Sequence, residues 1–346
     1  MRHWIVLSWT CLVLVYASAP ASATFHKMQI EQVIAGVGDD TTAQAIQLRM
    51  RVANETEVSK ARLRVYDAAG ANPVDVIDFA TDVSIGAQGS RILVASPGFV
   101  QHTRPGTVPD FYMAELIPES YVAAGSLRFE QDGGFVYWCL SWGGAAYSGP
   151  NQGSDINDLD GDYGPPFPAT LPSMGSNALR FLPGAGFLST NNAADYALTP
   201  PNAVFENNAG QAFVVTLTGA CCMGGVCSEG MFGEDCSNGG GIYNGDETLC
   251  GGDSDGDGFD EVCGDDCPAD PHKTAPGQCG CGEMESDSDG DSTPDCVDQC
   301  AGVPDDIFAP GCTAAIPTVS SWGVLILLLC LLSAETVRSR STQSPA

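Results

Sequence analysis

The chain has 346 residues, 43 of them acidic against 14 basic, and a formal net charge of −29. No basic patch of any size follows residue 23, which argues against nucleic acid and anionic membrane surfaces as partners and makes cations the expected ones. The charge is also uneven: 19 of the acidic residues fall between Asp246 and Asp306, where Lys273 is the only basic residue.

At the N-terminus, Met1-Arg-His leads into an apolar run from Trp4 to Tyr16, and small residues follow as far as Ala21-Ser-Ala23. This order predicts a secretory signal peptide over residues 1–23, a mature start at Thr24 and an oxidising destination. Cys11 leaves with the signal.

Residues 24–218 read as β-structure. Ile46, Leu48, Met50 and Val52 alternate with Gln47, Arg49 and Arg51, and Leu63 and Val65 alternate with Arg62 and Arg64. Further strands are expected at Arg91 to Ala95, Gly134 to Trp142 and Ala212 to Leu217, with turns rich in Gly, Pro, Asn and Asp between them. No amphipathic helix interrupts them, and the length suffices for a real core, so an antiparallel β-sandwich is the expected fold. The opening from Met28 to Val52, the segment Leu63-Arg-Val-Tyr-Asp-Ala-Ala-Gly70 and the strand at Arg91 resemble the lamin-tail type of immunoglobulin-like sandwich found on bacterial surface proteins. Trp142-Gly-Gly, Asn191-Asn-Ala-Ala-Asp195 and Asn207-Asn-Ala-Gly210 are similar to segments of bacterial versions. A generic sandwich of another family is the alternative.

This region shows no catalytic signature. Nucleophile-elbow, zinc-protease, P-loop and dinucleotide motifs are absent, and His26, His102 and His272 stand apart from any nucleophile setting. A hydrolase would need carboxylates such as Asp195 and Glu206, and a carbohydrate-binding face would need Trp138, Trp142 and Tyr147 at the surface. Cys139, in an aromatic strand, reads as buried packing.

From Gly219-Ala-Cys221-Cys222 to Cys250 the chain becomes rich in cysteine and glycine, and resembles short cysteine-rich repeats of secreted bacterial proteins. Twelve of the 15 cysteines lie between Cys221 and Cys312. An even, dense set in an exported chain implies disulfides, whose connectivity the spacing leaves open. Zinc on Cys221, Cys222, Cys227 and Cys236, or on Cys279 and Cys281, is the alternative.

The densest carboxylate patterns follow: Asp253-Ser-Asp255-Gly-Asp257-Gly258, and then Asp287-Ser-Asp289-Gly-Asp291. Aspartates at every second position repel one another unless a hard cation sits among their oxygens, and Ca²⁺ accepts six to eight such ligands. The copies form a repeat, with aspartates offset by 34 residues and Cys263, Cys267 and Cys279 offset by 33 from Cys296, Cys300 and Cys312. An EF-hand is excluded, because its twelfth-position glutamate is replaced by Gly264 and Asp298. The arrangement over residues 251–312 resembles the thrombospondin type 3 repeat, an irregular disulfide-rich calcium-binding fold. That resemblance implies Asp253, Asp255, Asp257, Asp260 or Glu261, and Asp265 as ligands in the first unit. In the second it implies Asp287, Asp289, Asp291, Asp295 and Asp298. Gly258 suits a left-handed turn; its counterpart is Ser292, which makes the first site the better preformed.

The chain ends with Ile316-Pro-Thr-Val-Ser-Ser-Trp-Gly323, an apolar run and then Arg338 and Arg340. The 13 apolar residues from Trp322 to Ala334 fall short of the roughly 20 that cross a bilayer. The order of motif, hydrophobic span and basic end over residues 316–341 resembles the IPTL-CTERM class of bacterial sorting signals. That resemblance implies a short hydrophobic helix and a processing enzyme in the cytoplasmic membrane; a simple tail anchor is the alternative. Together these features predict an exported, non-enzymatic cell-surface or adhesion protein, with calcium as its cofactor and a surface polysaccharide or protein as its further partner.

Overall fold

A computed structural model describes residues 24–38, 40–298 and 301. The expected signal peptide, the sorting tail, Cys300 and Cys312 lie outside the described residues. The chain is mainly β, and its longest described helix has six residues, Gly233–Asn238. Among the described residues no helix is long and apolar enough to cross a membrane. The chain divides into two compact units, one of residues 1–220 with 229–238 and 243–249, the other of residues 221–228, 239–242 and 250–346.

Thirteen strands build the first unit: β1 (Met28–Ile34), β2 (Ala45–Met50), β3 (Ala61–Tyr66), β4 (Val74–Asp78), β5 (Arg91–Ala95), β6 (Thr103–Arg104), β7 (Phe111–Tyr112), β8 (Gly125–Gln131), β9 (Val136–Trp142), β10 (Leu179–Phe181), β11 (Tyr196–Leu198), β12 (Val204–Glu206) and β13 (Ala212–Val215). They form a six-stranded sheet in the order β11-β10-β1-β2-β5-β7, a four-stranded sheet β4-β3-β8-β9 and a three-stranded sheet β12-β13-β6. Pairing is antiparallel except between β5 and β7.

Period-two alternation decides which side chains meet. Ile46, Leu48 and Met50 of β2 join Met28 and Ile30 of β1, Leu63 and Val65 of β3, Leu127 and Phe129 of β8, and Trp138, Leu140 and Trp142 of β9 in one hydrophobic cluster, so the six- and four-stranded sheets share a core. A second cluster lies on the other face of the six-stranded sheet, where Ile34, Ala45, Leu93 and Ala95 meet Phe205 of β12 and Phe213 and Val215 of β13. The polar residues interleaved on β2 are therefore largely covered. Gln47 is buried and Arg49 half-buried, Arg51 just past the strand is buried, and so are Gln29, Glu31 and Gln32 of β1. Alternation in the sequence separates the two faces of a strand without saying what covers the second one.

The aromatic residues considered for a carbohydrate face are all interior. Trp138 and Trp142 are fully buried, and Tyr147 nearly so. Their polar atoms find partners inside: Trp138 Nε1 donates to Tyr196 Oη at 3.0 Å, Tyr196 Oη to the Ile30 carbonyl at 2.6 Å and Trp142 Nε1 to the Tyr121 carbonyl at 2.9 Å. A large aromatic held this way costs about 3–5 kcal/mol to truncate to alanine.

Cys139 is the free cysteine among the described residues and is buried. Burial pushes its thiol up to about 11, with Arg128 nearby pulling the other way. Below that pH the reactive thiolate is scarcely formed. A thiol-specific chromogenic reagent at pH 8 is therefore expected to find no reactive sulfhydryl at Cys139 in the native mature chain, and one after denaturation. A fast native reaction assigned to Cys139 by peptide mapping would contradict this.

Candidate metal centre

The second unit is held by covalent links in place of a large core. Disulfides join Cys222 to Cys263, Cys227 to Cys250, Cys267 to Cys281 and Cys279 to Cys296; Cys221 and Cys236 are also disulfide-bonded. Sequence separations of 14 to 41 residues correspond to about 3–4 kcal/mol each in the chain-entropy model. Ten of the cysteines weighed for zinc or disulfides are thus oxidised, and none of them offers a thiolate to a metal.

Each aspartate of the first loop accepts from the chain's own amides, Asp253 through both of its oxygens and Asp255 and Asp257 through one each. Asp253 accepts from Gly256 N at 2.7 Å and Gly258 N at 3.0 Å, Asp255 from Asp257 N at 3.2 Å, and Asp257 from Phe259 N at 2.8 Å. These short-range bonds coil the segment, and Gly256 and Gly258, at φ +82° and +93°, supply the left-handed conformations the coil needs. Asp253, Asp255 and Asp257 consequently converge, each with an oxygen within 4.8 Å of the others.

Glu261 and Asp265 follow in the next turn, outside the converging trio but near enough to interact with it electrostatically. Glu261 Oε1 accepts from Ser254 N at 3.1 Å and Asp265 Oδ1 from Cys267 N at 2.8 Å. Their second oxygens, Glu261 Oε2 and Asp265 Oδ2, are buried without a hydrogen-bond partner, as is Asp255 Oδ2. Buried carboxylate oxygens without a donor are uncommon, and these three could be satisfied by a cation. Electrostatics points the same way: burial raises the Asp265 carboxyl above the usual carboxylate range, and Asp255, Asp257 and Glu261 push it further up. The basic residue of this stretch is committed elsewhere, with Lys273 Nζ bonded to Glu285 at 2.8 Å and to the carbonyls of Pro276 and Gly280.

Asp260, which the sequence leaves as an alternative to Glu261, has a different position. Its two oxygens accept from Gly251 N, Gly252 N and Val262 N at 2.8–3.0 Å. Burial raises this carboxyl, but the three amides outweigh it and hold it below its ordinary value. The stability it contributes is present above the ordinary carboxylate pKa and is lost as pH falls through the lowered one. Asp260 closes the loop, and Glu261 faces the cluster.

The second loop repeats the first bond for bond. Asp287 accepts from Gly290 N at 2.7 Å and Ser292 N at 3.0 Å, Asp289 from Asp291 N at 3.2 Å, and Asp291 from Thr293 N at 2.8 Å. Asp287, Asp289 and Asp291 converge as their counterparts do. Asp295 takes the Glu261 position, accepting from Ser288 N at 2.9 Å and from the hydroxyls of Ser286 and Ser288. Pro294 stands where Asp260 closes the first loop. Asp298 follows one turn later, its N–H on the Pro294 carbonyl at 2.9 Å, and is not one of the converging trio. Ser292 adopts φ +76°, the left-handed conformation that Gly258 supplies at no steric cost.

The acidic pair considered for hydrolysis has structural partners. Asp195 accepts from Asn191 N at 2.7 Å, and Glu206 meets Arg91 at 3.0 Å. No protein-family model matches the chain, and no curated protein or solved structure resembles it at a significant level.

Two outcomes are expected from this geometry. Asp265→Asn should lower divalent-cation affinity while leaving the chelated protein at least as stable, because it removes a repelled charge; Asp260→Asn should lower thermal stability in chelator as well, because it frees backbone amides. Equal effects of the two in chelator would contradict the division of roles. Ser292→Gly should improve the second loop's affinity about two- to fivefold, the left-handed penalty of about 1–2 kcal/mol being offset in part by glycine's entropy. Calorimetric titration of the variant beside the parent measures it, and unchanged binding would count against strain at Ser292.

Proposed function

We propose that this is an exported, non-enzymatic surface protein in which a calcium-ordered, disulfide-bonded stalk carries a β-sandwich head. The observation that carries the reading is the pair of aspartate loops with the same hydrogen bonds at a 34-residue offset, the first of them leaving buried carboxylate oxygens with no donor. Calcium fits such a site better than magnesium, which demands strict octahedral geometry and keeps its waters. Asp253, Asp255, Asp257, Glu261 and Asp265 would hold one ion, with Asp260 fixing the loop. Asp287, Asp289, Asp291, Asp295 and Asp298 would hold another. Bound calcium would neutralise the clustered charge and couple metal binding to folding of the stalk.

The mainly β first unit, with two sheets closing on one core, supports a lamin-tail type of immunoglobulin-like sandwich as the head. The sequence patterns at residues 1–23 and 316–341 support export and a sorting enzyme acting on the tail. Adhesion to a surface polysaccharide or protein is the role that such a head on such a stalk would serve. With Trp138 and Trp142 interior and Asp195 and Glu206 in structural pairs, the hydrolase and aromatic-platform readings have no observation in their favour.

Calorimetric titration of the oxidised mature chain with calcium is expected to show at least two sites, with dissociation constants of about 10⁻⁴–10⁻³ M. X-ray scattering should show compaction on adding calcium and expansion in chelator. Asp257→Ala should weaken the first site more than Asp291→Ala weakens the second. Absence of both heat and compaction would remove calcium from the proposal.

A further inference from the structure

The face of the six-stranded sheet that packs against β12 and β13 carries a charge network that does not cancel. Glu31, fully buried, accepts from Arg49 Nη1, Arg91 Nε and Gln47 Nε2, each at 2.8 Å. Arg91 also meets Glu206 at 3.0 Å. Arg180 stands 3.7 Å from Glu31 Oε1, beyond hydrogen-bond reach, and its side chain is 43% exposed. Three guanidiniums against two carboxylates leave one positive charge over, and at Arg180 that charge meets solvent. The crowding also shows at Arg49, whose guanidinium is lowered first by burial, with Arg91 and Arg180 acting in the same direction.

Arg180 and Arg49 are the only charged side chains lining a groove of about 410 Å³. Its walls mix polar and apolar surface, and the apolar side chains are open: Leu182 is 65% exposed, Leu198 52% and Val204 48%, and Pro200 and Pro201 lie between the last two. β11, which contributes Leu198, is the edge strand of the six-stranded sheet. An exposed sheet edge is a usual platform for an added strand. The Arg180 guanidinium, whose ion pair with Glu31 is longer than a hydrogen bond, keeps a fork matched to a carboxylate.

The geometry points to this groove as a docking site for an extended acidic peptide segment whose apolar side chains alternate with carboxylates. A carboxylate would sit on Arg180, apolar side chains along Leu182, Leu198 and Val204, and main chain against the edge of β11. A polyanionic polysaccharide would match the charge and leave the apolar side chains unused, so the peptide is the better fit. The chain's large negative charge does not forbid it, since exposed charges are screened beyond about 8–10 Å at physiological salt. The inference gives the adhesion reading a partner class and rests on that reading only for its setting. The aspartate loops play no part in it, so the test is made both in calcium and in chelator.

Fluorescence anisotropy of the oxidised mature chain, with a labelled ten-residue peptide alternating glutamate and leucine, is expected to show saturable binding that is the same in calcium and in chelator. Arg180→Gln should weaken it about tenfold, the loss of one charge-assisted carboxylate contact, and Leu198→Asp should abolish it, with circular dichroism confirming that both variants fold. A lysine–leucine peptide should not bind. Unchanged affinity in Arg180→Gln would overturn the proposal. So would equal binding of a glutamate–serine peptide, or binding of an oligogalacturonate in preference to the peptide. Loss of peptide binding in chelator alone would overturn the independence of groove and metal loops.

Discussion

Repulsion among like charges is the constraint on which the second unit depends. Three carboxylates of the first loop converge and two more follow in the next turn, and the backbone gives each an amide to hold: Gly256 and Gly258 for Asp253, Asp257 for Asp255, Phe259 for Asp257, Ser254 for Glu261 and Cys267 for Asp265. Those amides hold Asp253 through both oxygens and leave the second oxygens of Asp255, Glu261 and Asp265 buried without a donor, so the loop that is costly by itself is one that could hold a cation. Disulfides do the complementary work, restraining the unfolded chain in a stretch with few large apolar residues.

The first unit handles charge in the opposite manner. Glu31 lies under its sheet with arginines on several sides, in a site dry enough that each missing partner would be expensive. Here the network is locally cationic, and its surplus surfaces at Arg180 beside exposed leucines. The two units therefore carry local charge of opposite sign in one strongly acidic chain.

Much of this was legible in the sequence, because period-two patterns and aspartate spacing are local. The strands at residues 46–52, 63–65, 91–95, 134–142 and 212–217 all correspond to observed strands, and each aspartate trio converges as its spacing implies. Long-range relations were not legible. That Gln47 and Arg51 are covered depends on residues more than a hundred positions away, as in the bond that the Glu206 amide donates to Gln47 Oε1. The separate tasks of Asp260 and Glu261 depend on which amides a turn exposes, and cysteine pairing depends on the closed fold. The buried Glu31 carried no local signal, since an acid inside a strand pattern reads as a solvent-facing position.

The disulfide connections also determine how the chain would transmit load. Cys263 reaches back to Cys222, and Cys296, the equivalent cysteine of the next repeat, reaches back to Cys279. A pull applied to the two ends would pass through sulfur at each of these points and bypass the residues enclosed. The 41-residue separation of the first link would conceal roughly 140 Å of extended chain from tension, leaving the aspartate loop between Gly252 and Glu261 slack inside a covalent ring while force runs around it.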